Sequence, residues 1–260
     1  MLRVLGYIVL AFVLLVLAYV FVLSGSWHTP VNVRAATPFV RPGGPVLVFG
    51  GTRATGLDIV RQLRERGEDV VVAVRATSNT AALRELGVRT VTADALDAAQ
   101  VQAAFAADHF AAVISTLGTA RGDQARRPDF IGNRNVIDAA KAAGVRRFVF
   151  ITVVGAGDSH DTAPFPARQA LKEVIALKTQ AEDHLRASGL DYTIIRPGGL
   201  GNVKATGKAV LAADPQAFSY ISRADLARLT IEALGDPGTI GKTYAAYDPT
   251  RRVLWSIFRD

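Results

Sequence analysis

Hydrophobic positions along this chain fall into three kinds of run. Val4 to Leu23 is apolar without a charged side chain. Short, wholly apolar runs such as Val46–Phe49 and Val70–Val74 recur further on, as expected of strands buried on both faces of a parallel sheet. Between them lie stretches with apolar residues three and four apart, the period of a helix with one buried face. The pattern predicts strand 46–49, helix 56–66, strand 70–74, helix 80–86, strand 89–92, a helix near 98–106 and strand 112–116. It continues with a helix at about 134–143, strand 148–152, one long helix over 166–188 and strand 191–196. Strands alternating with helices imply an α/β fold, a Rossmann-like doubly wound parallel sheet with helices on both faces. The segment before the first strand carries Pro30, Pro38, Pro42, Pro45, Gly43 and Gly44 without sustained periodicity, and reads as a tether. The division is 1–25 as a transmembrane anchor, 26–45 as a Pro/Gly-rich linker and 46–260 as the α/β domain.

The first strand, turn, helix and second strand concentrate the chemistry. Gly50 and Gly51 end the strand, and Thr52, Arg53, Ala54, Thr55 and Gly56 lead into the helix. Backbone N–H groups at that helix start, its dipole and the Thr52 and Thr55 hydroxyls make an anion site suited to a pyrophosphate. Gly56 lacks a Cβ and lets helix and sheet pack closely. A strand, a Gly-rich turn and a helix in this order predict dinucleotide binding. The second strand ends at Arg75, where an NAD-preferring site would carry an acid for the ribose 2′-OH. A guanidinium there suits a 2′-phosphate, so NADP(H) is preferred with NAD(H) possible; a solvated strand-end arginine is the plainer alternative.

Composition narrows the choices. The 260 residues are 50% hydrophobic and 20% charged, enough for one α/β domain with a large core and too few for a second full one. There is no cysteine, and the four histidines lack ligand spacing, so thiolate chemistry is excluded and no metal site is expected. A formal charge of +7 comes from basic residues spread along the chain, which argues against nucleic acid. Twenty helical residues from Val4 span roughly 30 Å, the thickness of a bilayer core. A secretory signal has a shorter apolar core, although Ser24 and Ser26 would serve as a cleavage site; a retained anchor is favoured. Trp27 fits an interfacial position. The expectation is therefore a single-pass membrane protein with its domain on the cytoplasmic side, where the cofactor is found.

The run of motifs resembles the atypical short-chain dehydrogenase/reductase family, in its NmrA-like, SDR_a5-like NAD(P)-binding branch. The resemblance covers about Pro45 to Tyr247 and rests on GGTRATG, VVVAVR, ADALD at 93–97, ISTLG at 114–118, AAKAAGVRRFVFITVVGAG, KTQAEDHLRASGLDYTIIRPGGL and ISRADLA at 221–227. It implies Asp94, Ala95 and Leu96 beside the adenine, or an ordinary strand-end turn there. It implies Thr116, Leu117 and Gly118 along the ribose and pyrophosphate, and Pro197 and Gly198 against the nicotinamide. Ser222 and Asp225 read as a helix cap.

Three departures from the family pattern matter. Arg53 stands where most relatives have the middle glycine, so its side chain either adds a phosphate contact or obstructs the site. The tyrosine expected four residues before the helix lysine is replaced by Val174, with Lys178 retained. The strand end that often bears serines reads Thr152–Val153–Val154, one hydroxyl. In the usual scheme the phenol protonates the carbonyl that accepts hydride while the lysine lowers its pKa and grips the ribose. Valine does neither. Lys178 and Thr152 remain as candidate catalytic residues, Lys178 having a surface pair with Glu182 as its plain alternative. His160 is a conceivable substitute acid without an identified partner.

Two functions follow. One is a membrane-tethered NADPH-dependent oxidoreductase whose partner is a small, lipophilic acceptor of the flavin or quinone kind. The other is a non-catalytic NADP(H)-binding sensor or assembly factor for a membrane protein.

Overall fold

A computed structural model describes residues 2–24, 28–35, 37–119 and 127–257. After helix α1 (Leu2–Ser24), the chain alternates β1 (Val46–Phe49), α2 (Ala54–Glu65), β2 (Val70–Val74), α3 (Ala81–Glu85) and β3 (Arg89–Thr92). It continues through α4 (Ala98–Phe105), β4 (Ala112–Ser115), α5 (Ile131–Ala142), β5 (Arg147–Ile151), α6 (Phe165–Ala170), α7 (Lys172–Ala187) and β6 (Asp191–Pro197). Beyond these lie β7 (Gly199–Gly201), β8 (Val210–Ala212), β9 (Tyr220–Ser222), α8 (Arg223–Leu234) and β10 (Lys242–Tyr247).

The main sheet runs β3-β2-β1-β4-β5-β6-β10-β8, parallel except for β8 at one edge, and β7 pairs with β9 in a small parallel ribbon. Successive strands lie outward on either side of β1, so the order reverses between β1 and β4. Open α/β sheets bind ligands at that switch point, outside the carboxyl ends of the strands. Within β1 the alternation of side chains divides the core. Val46 and Val48 pack with Ile59 and Leu63 of α2 and Leu226 of α8. Leu47 and Phe49 pack with Val101 of α4, Val136 of α5 and Leu185 of α7. Both faces of the strand are buried, which is why it reads as an unbroken apolar run. At the far end of the sheet, the Arg147 guanidinium donates to the carbonyls of Ala233 and Leu234 and so caps the C-terminus of α8.

Two expectations change shape. The helix predicted over 166–188 breaks at Leu171, whose φ of −105° and ψ of 8° leave the helical region, giving α6 and α7. The segment read as a tether is docked along the sheet edge from residue 28 to residue 40. Arg34 N–H donates to Leu211 O at 2.8 Å, Val33 forms a bridge with Ala212, and the Arg34 guanidinium and Thr37 hydroxyl both reach Asp236. His28 and the Val31 N–H meet Asp214 in the same way. The docked segment covers the outer side of β8, an edge that would otherwise present unpaired backbone groups.

The membrane expectation is corrected. Among the described residues no helix is long and apolar enough to cross a membrane. The described large apolar side chains of α1, from Val4 to Tyr19 and at Phe21, are exposed. The single-pass location falls, and with it the cytoplasmic side assigned through that topology. Ser26 and Trp27 lie outside the described residues.

Close packing at the first turn is sensitive to substitution. A Cβ on Gly56 would collide with the Gly50 carbonyl oxygen, which the Thr116 hydroxyl also approaches at 3.2 Å. Gly56→Ala should therefore cost about 1–3 kcal/mol in a urea unfolding titration; an unchanged midpoint would show that the turn has slack.

Candidate functional site

At the switch point lies a cleft of about 530 Å³, within the range of small-molecule and cofactor sites. Its walls bring together Gly50, Thr52, Arg53, Ala54, Thr55, Gly56, Arg75, Asp94, Ala95, Leu96, Thr116, Leu117, Gly118, Thr152, Lys178 and Pro197. All were expected at one site. Gly51 and Gly198 do not line it. A Cβ on Gly51 would meet Val72 at 2.9 Å and Val60 at 3.0 Å, and one on Gly198 would run into the Ser219 backbone. These two glycines permit close packing behind the cleft.

The turn is shaped to receive an anion. The Arg53 backbone is extended, at φ −161° and ψ 168°, and makes no side-chain cap. Its side chain is exposed on the cleft wall. The left-handed conformation falls instead on Gly50, φ 85°, and on Ala54, φ 49°. With no side-chain cap at Arg53, the first-turn N–H groups of α2 face the cleft end of the helix, where the dipole favours negative charge.

At the wall formed where β2 and β3 end, Arg75 is exposed and forms no ion pair among the described residues. Asp94 Oδ1 accepts from the Leu96 N–H at 3.1 Å, making the turn that was the plainer reading, while the residue still lines the cleft.

The opposite wall is built on α7. Lys178 is buried; its Nζ donates to the carbonyls of Leu117 and Ile151, stands 4.9 Å over the Phe150 ring, and lies 3.9 Å from Asp129 Oδ1. Burial lowers its pKa to about 8 against the opposing fields of Asp129 and Glu182. The surface pair with Glu182 does not form. Glu182 instead accepts from Arg196 Nη2 at 2.7 Å, Arg196 Nε at 3.0 Å, Arg186 at 2.9 Å and the Thr152 hydroxyl at 2.7 Å. Thr152 therefore lines the cleft with its proton already committed to a carboxylate. Arg196 also reaches Asp158, which fixes the loop after β5. His160 pairs with Asp161 at 3.0 Å on the exposed surface and is not among the cleft residues.

Leu171, Val174, Val153 and Leu200 complete this end, an apolar wall. Sequence reasoning missed Asp129, Ser78, Thr119, Leu171 and Arg223 as wall residues. Asp129 is fully buried, accepts from the Thr119 N–H at 3.0 Å, and keeps Oδ1 without a hydrogen-bond partner among the described residues. Its place three residues before Gly132 carried no local signal of burial beside a lysine. Among the described residues no cluster of His, Cys, Asp and Glu could hold a metal ion.

Residues 50–237 match the model of the NAD(P)H-binding family. This chain belongs to that family, as an oxidoreductase-like atypical short-chain dehydrogenase/reductase. It is similar in structure to ChuY, an anaerobillin reductase from Escherichia coli O157:H7, with 35% identity, a TM-score of 0.71 and coverage of 79% of this chain and 97% of that one. The sequence is 31% identical over 203 residues to the uncharacterized sugar epimerase YhfK of Bacillus subtilis, covering 76% of this chain and 92% of the relative. It is 28% identical over 211 residues to the photosystem II assembly factor Ycf39 of Synechocystis, covering 76% of this chain and 61% of the relative. The glycine cradle, uncapped helix start and buried lysine fit a nicotinamide dinucleotide.

The lysine carries a pH signature. Its folded pKa near 8 lies below the ordinary 10.5, so between those values the unfolded chain holds a proton that the native protein does not. Stability attributable to this position should rise as pH increases through that window. Unfolding titrations at about pH 7.5 and 9.5 should show the wild type gaining roughly 1–2 kcal/mol relative to Lys178→Met; equal pH slopes for the two proteins would mean that Lys178 is solvated.

Proposed function

We propose that this protein is an NADP(H)-preferring oxidoreductase that reduces a small, apolar, conjugated acceptor of the flavin or quinone kind. One observation carries the reading: the end of the cleft that retains the lysine has Val174 in the tyrosine's place, set among Leu171, Val153, Pro197 and Leu200. The bound cofactor would supply hydride. The apolar wall would exclude water and accept a flat, hydrophobic face. Lys178 would hold ribose hydroxyls and carries a proton that moves near neutral pH. With the Thr152 proton held by Glu182, the hydroxyl at the end of β5 is not free to protonate a simple ketone. Acceptors that delocalise the incoming electron pair depend less on a protein acid. Similarity to a reductase, ChuY, supports the catalytic reading. The preference for NADP(H) rests on Arg75, exposed at the cleft wall where β2 ends without an acid.

The committed Thr152 hydroxyl and the similarity to Ycf39 favour a second reading, a nucleotide-binding assembly factor without turnover.

Steady-state oxidation of NADPH by the full-length protein, against a panel of flavins, quinones and simple ketones, separates the two. The oxidoreductase reading predicts turnover above the enzyme-free rate with flavins or quinones and none with ketones. Nucleotide binding without turnover of any acceptor would contradict it and leave the assembly factor. In the same assay Arg75→Glu should raise the KM for NADPH at least about tenfold while leaving that for NADH within about threefold. Equal effects on the two nucleotides would remove the argument for NADP(H).

A further inference from the structure

Arg223, the first residue of α8, stands in the cleft wall far in sequence from the glycine turn. Its Nη1 lies 3.4 Å from the Thr55 hydroxyl in the first turn of α2, and its Nε donates to Asn202 Oδ1 at 2.7 Å. Both partners are neutral. Among the described residues no carboxylate forms an ion pair with it. Asp58 is the acid whose field reaches it, and that carboxylate bonds Arg61 at 2.9 Å. Burial lowers the Arg223 pKa from its ordinary value, the mark of a cation that has lost water without gaining an anion. Such a charge is costly to hold unless a ligand completes it.

Its position is rigid. Ser222 caps α8 by accepting from the Asp225 N–H at 3.0 Å, and Gln62 of α2 donates to Ala224 O at 2.9 Å. The Asp225 carboxylate accepts from the N–H groups of Thr206 at 2.8 Å and Gly207 at 3.1 Å, so the same helix start holds the loop after β7. Two sources of positive potential thus meet at one point: the uncapped N-terminus of α2 and a half-buried guanidinium delivered from the other end of the domain.

We propose that Arg223 closes over the pyrophosphate of the bound dinucleotide and, through Asn202, ties nucleotide occupancy to the end of β7, the strand that carries Leu200 of the acceptor wall. The proposal rests on the dinucleotide reading of the cleft and adds to it a phosphate clamp outside the glycine turn. Nucleotide would bind first and order the acceptor wall afterwards.

Calorimetric titration of the full-length protein with NADPH tests this, using wild type, Arg223→Gln and Arg223→Lys, with inorganic pyrophosphate as a second probe. Loss of a charge-assisted hydrogen bond predicts NADPH binding weaker by about 10- to 100-fold in Arg223→Gln, an intermediate loss in Arg223→Lys, and loss of pyrophosphate competition in Arg223→Gln. Thermal melting without nucleotide should be unchanged or raised in Arg223→Gln, because a desolvated cation lacking an anion is removed; a purely structural arginine would lower it. Amide exchange across residues 199–207 should slow on NADPH binding in the wild type, and should not in Asn202→Ala at saturating nucleotide. Wild-type affinity in Arg223→Gln overturns the clamp while leaving the dinucleotide reading intact. Failure of the wild type itself to bind NADPH overturns both.

Discussion

The approach of Gly56 to the Gly50 carbonyl is the contact on which the rest of the site depends. It allows α2 to start directly over the end of β1, with the Thr116 hydroxyl donating to the same carbonyl at 3.2 Å and joining β4 to the turn. Any side chain at position 56 would push the helix off the strand. The N–H groups of its first turn would then leave the switch point of the sheet, where the cleft opens. Because this packing is settled by positions 50 and 56, position 53 is released. Arg53 adopts an extended backbone, and its exposed side chain stands on the cleft wall.

A second, buried constraint organises the acceptor end. Glu182 gathers Arg196, Arg186 and the Thr152 hydroxyl, and through Arg196 the network reaches Asp158 in the loop after β5. It locks α7 against β5 and β6, and Lys178 one turn earlier is thereby fixed beneath the carbonyls of Leu117 and Ile151. Rigidity here comes at a chemical cost: the one hydroxyl on the strand end is spent on structure. What remains is a buried ammonium and an apolar wall, which beside the proposed nicotinamide cofactor would suit acceptors that stabilise their own negative charge.

Strands β1, β2, β4 and β5 were legible because each is buried almost throughout and so appears as a short apolar block, while the mostly exposed β3 and the mixed β6 followed from the alternation of strands and helices. Beyond Pro197 that signal fades. Strands β7, β8 and β9 are three residues each, and β10 begins with the exposed Lys242, so none announces itself as a core strand. The break at Leu171 left no glycine or proline at that point to mark it. Most of the cleft was also legible, since its residues sit at strand ends and in the glycine turn. Gly51 and Gly198 were misplaced because a glycine needed for packing and one needed for ligand approach look alike in sequence. Arg223 and Asp129 were missed because what makes them notable, a cation without an anion and a carboxylate oxygen without a donor, arises only when distant segments meet. Thr152 was identified as a cleft residue, yet its partner 30 positions away decides its chemistry. The apolar N-terminal run was read correctly as a helix and overread as a membrane span.

The central claim is that the cleft between the glycine turn and α7 binds a reduced nicotinamide dinucleotide. Fluorescence titration of NADPH with the full-length protein tests it most directly. The account predicts saturable binding of one nucleotide per chain, reversed by NADP. A linear, unsaturated signal up to about millimolar nucleotide, where affinity is worth only about 4 kcal/mol, would contradict it.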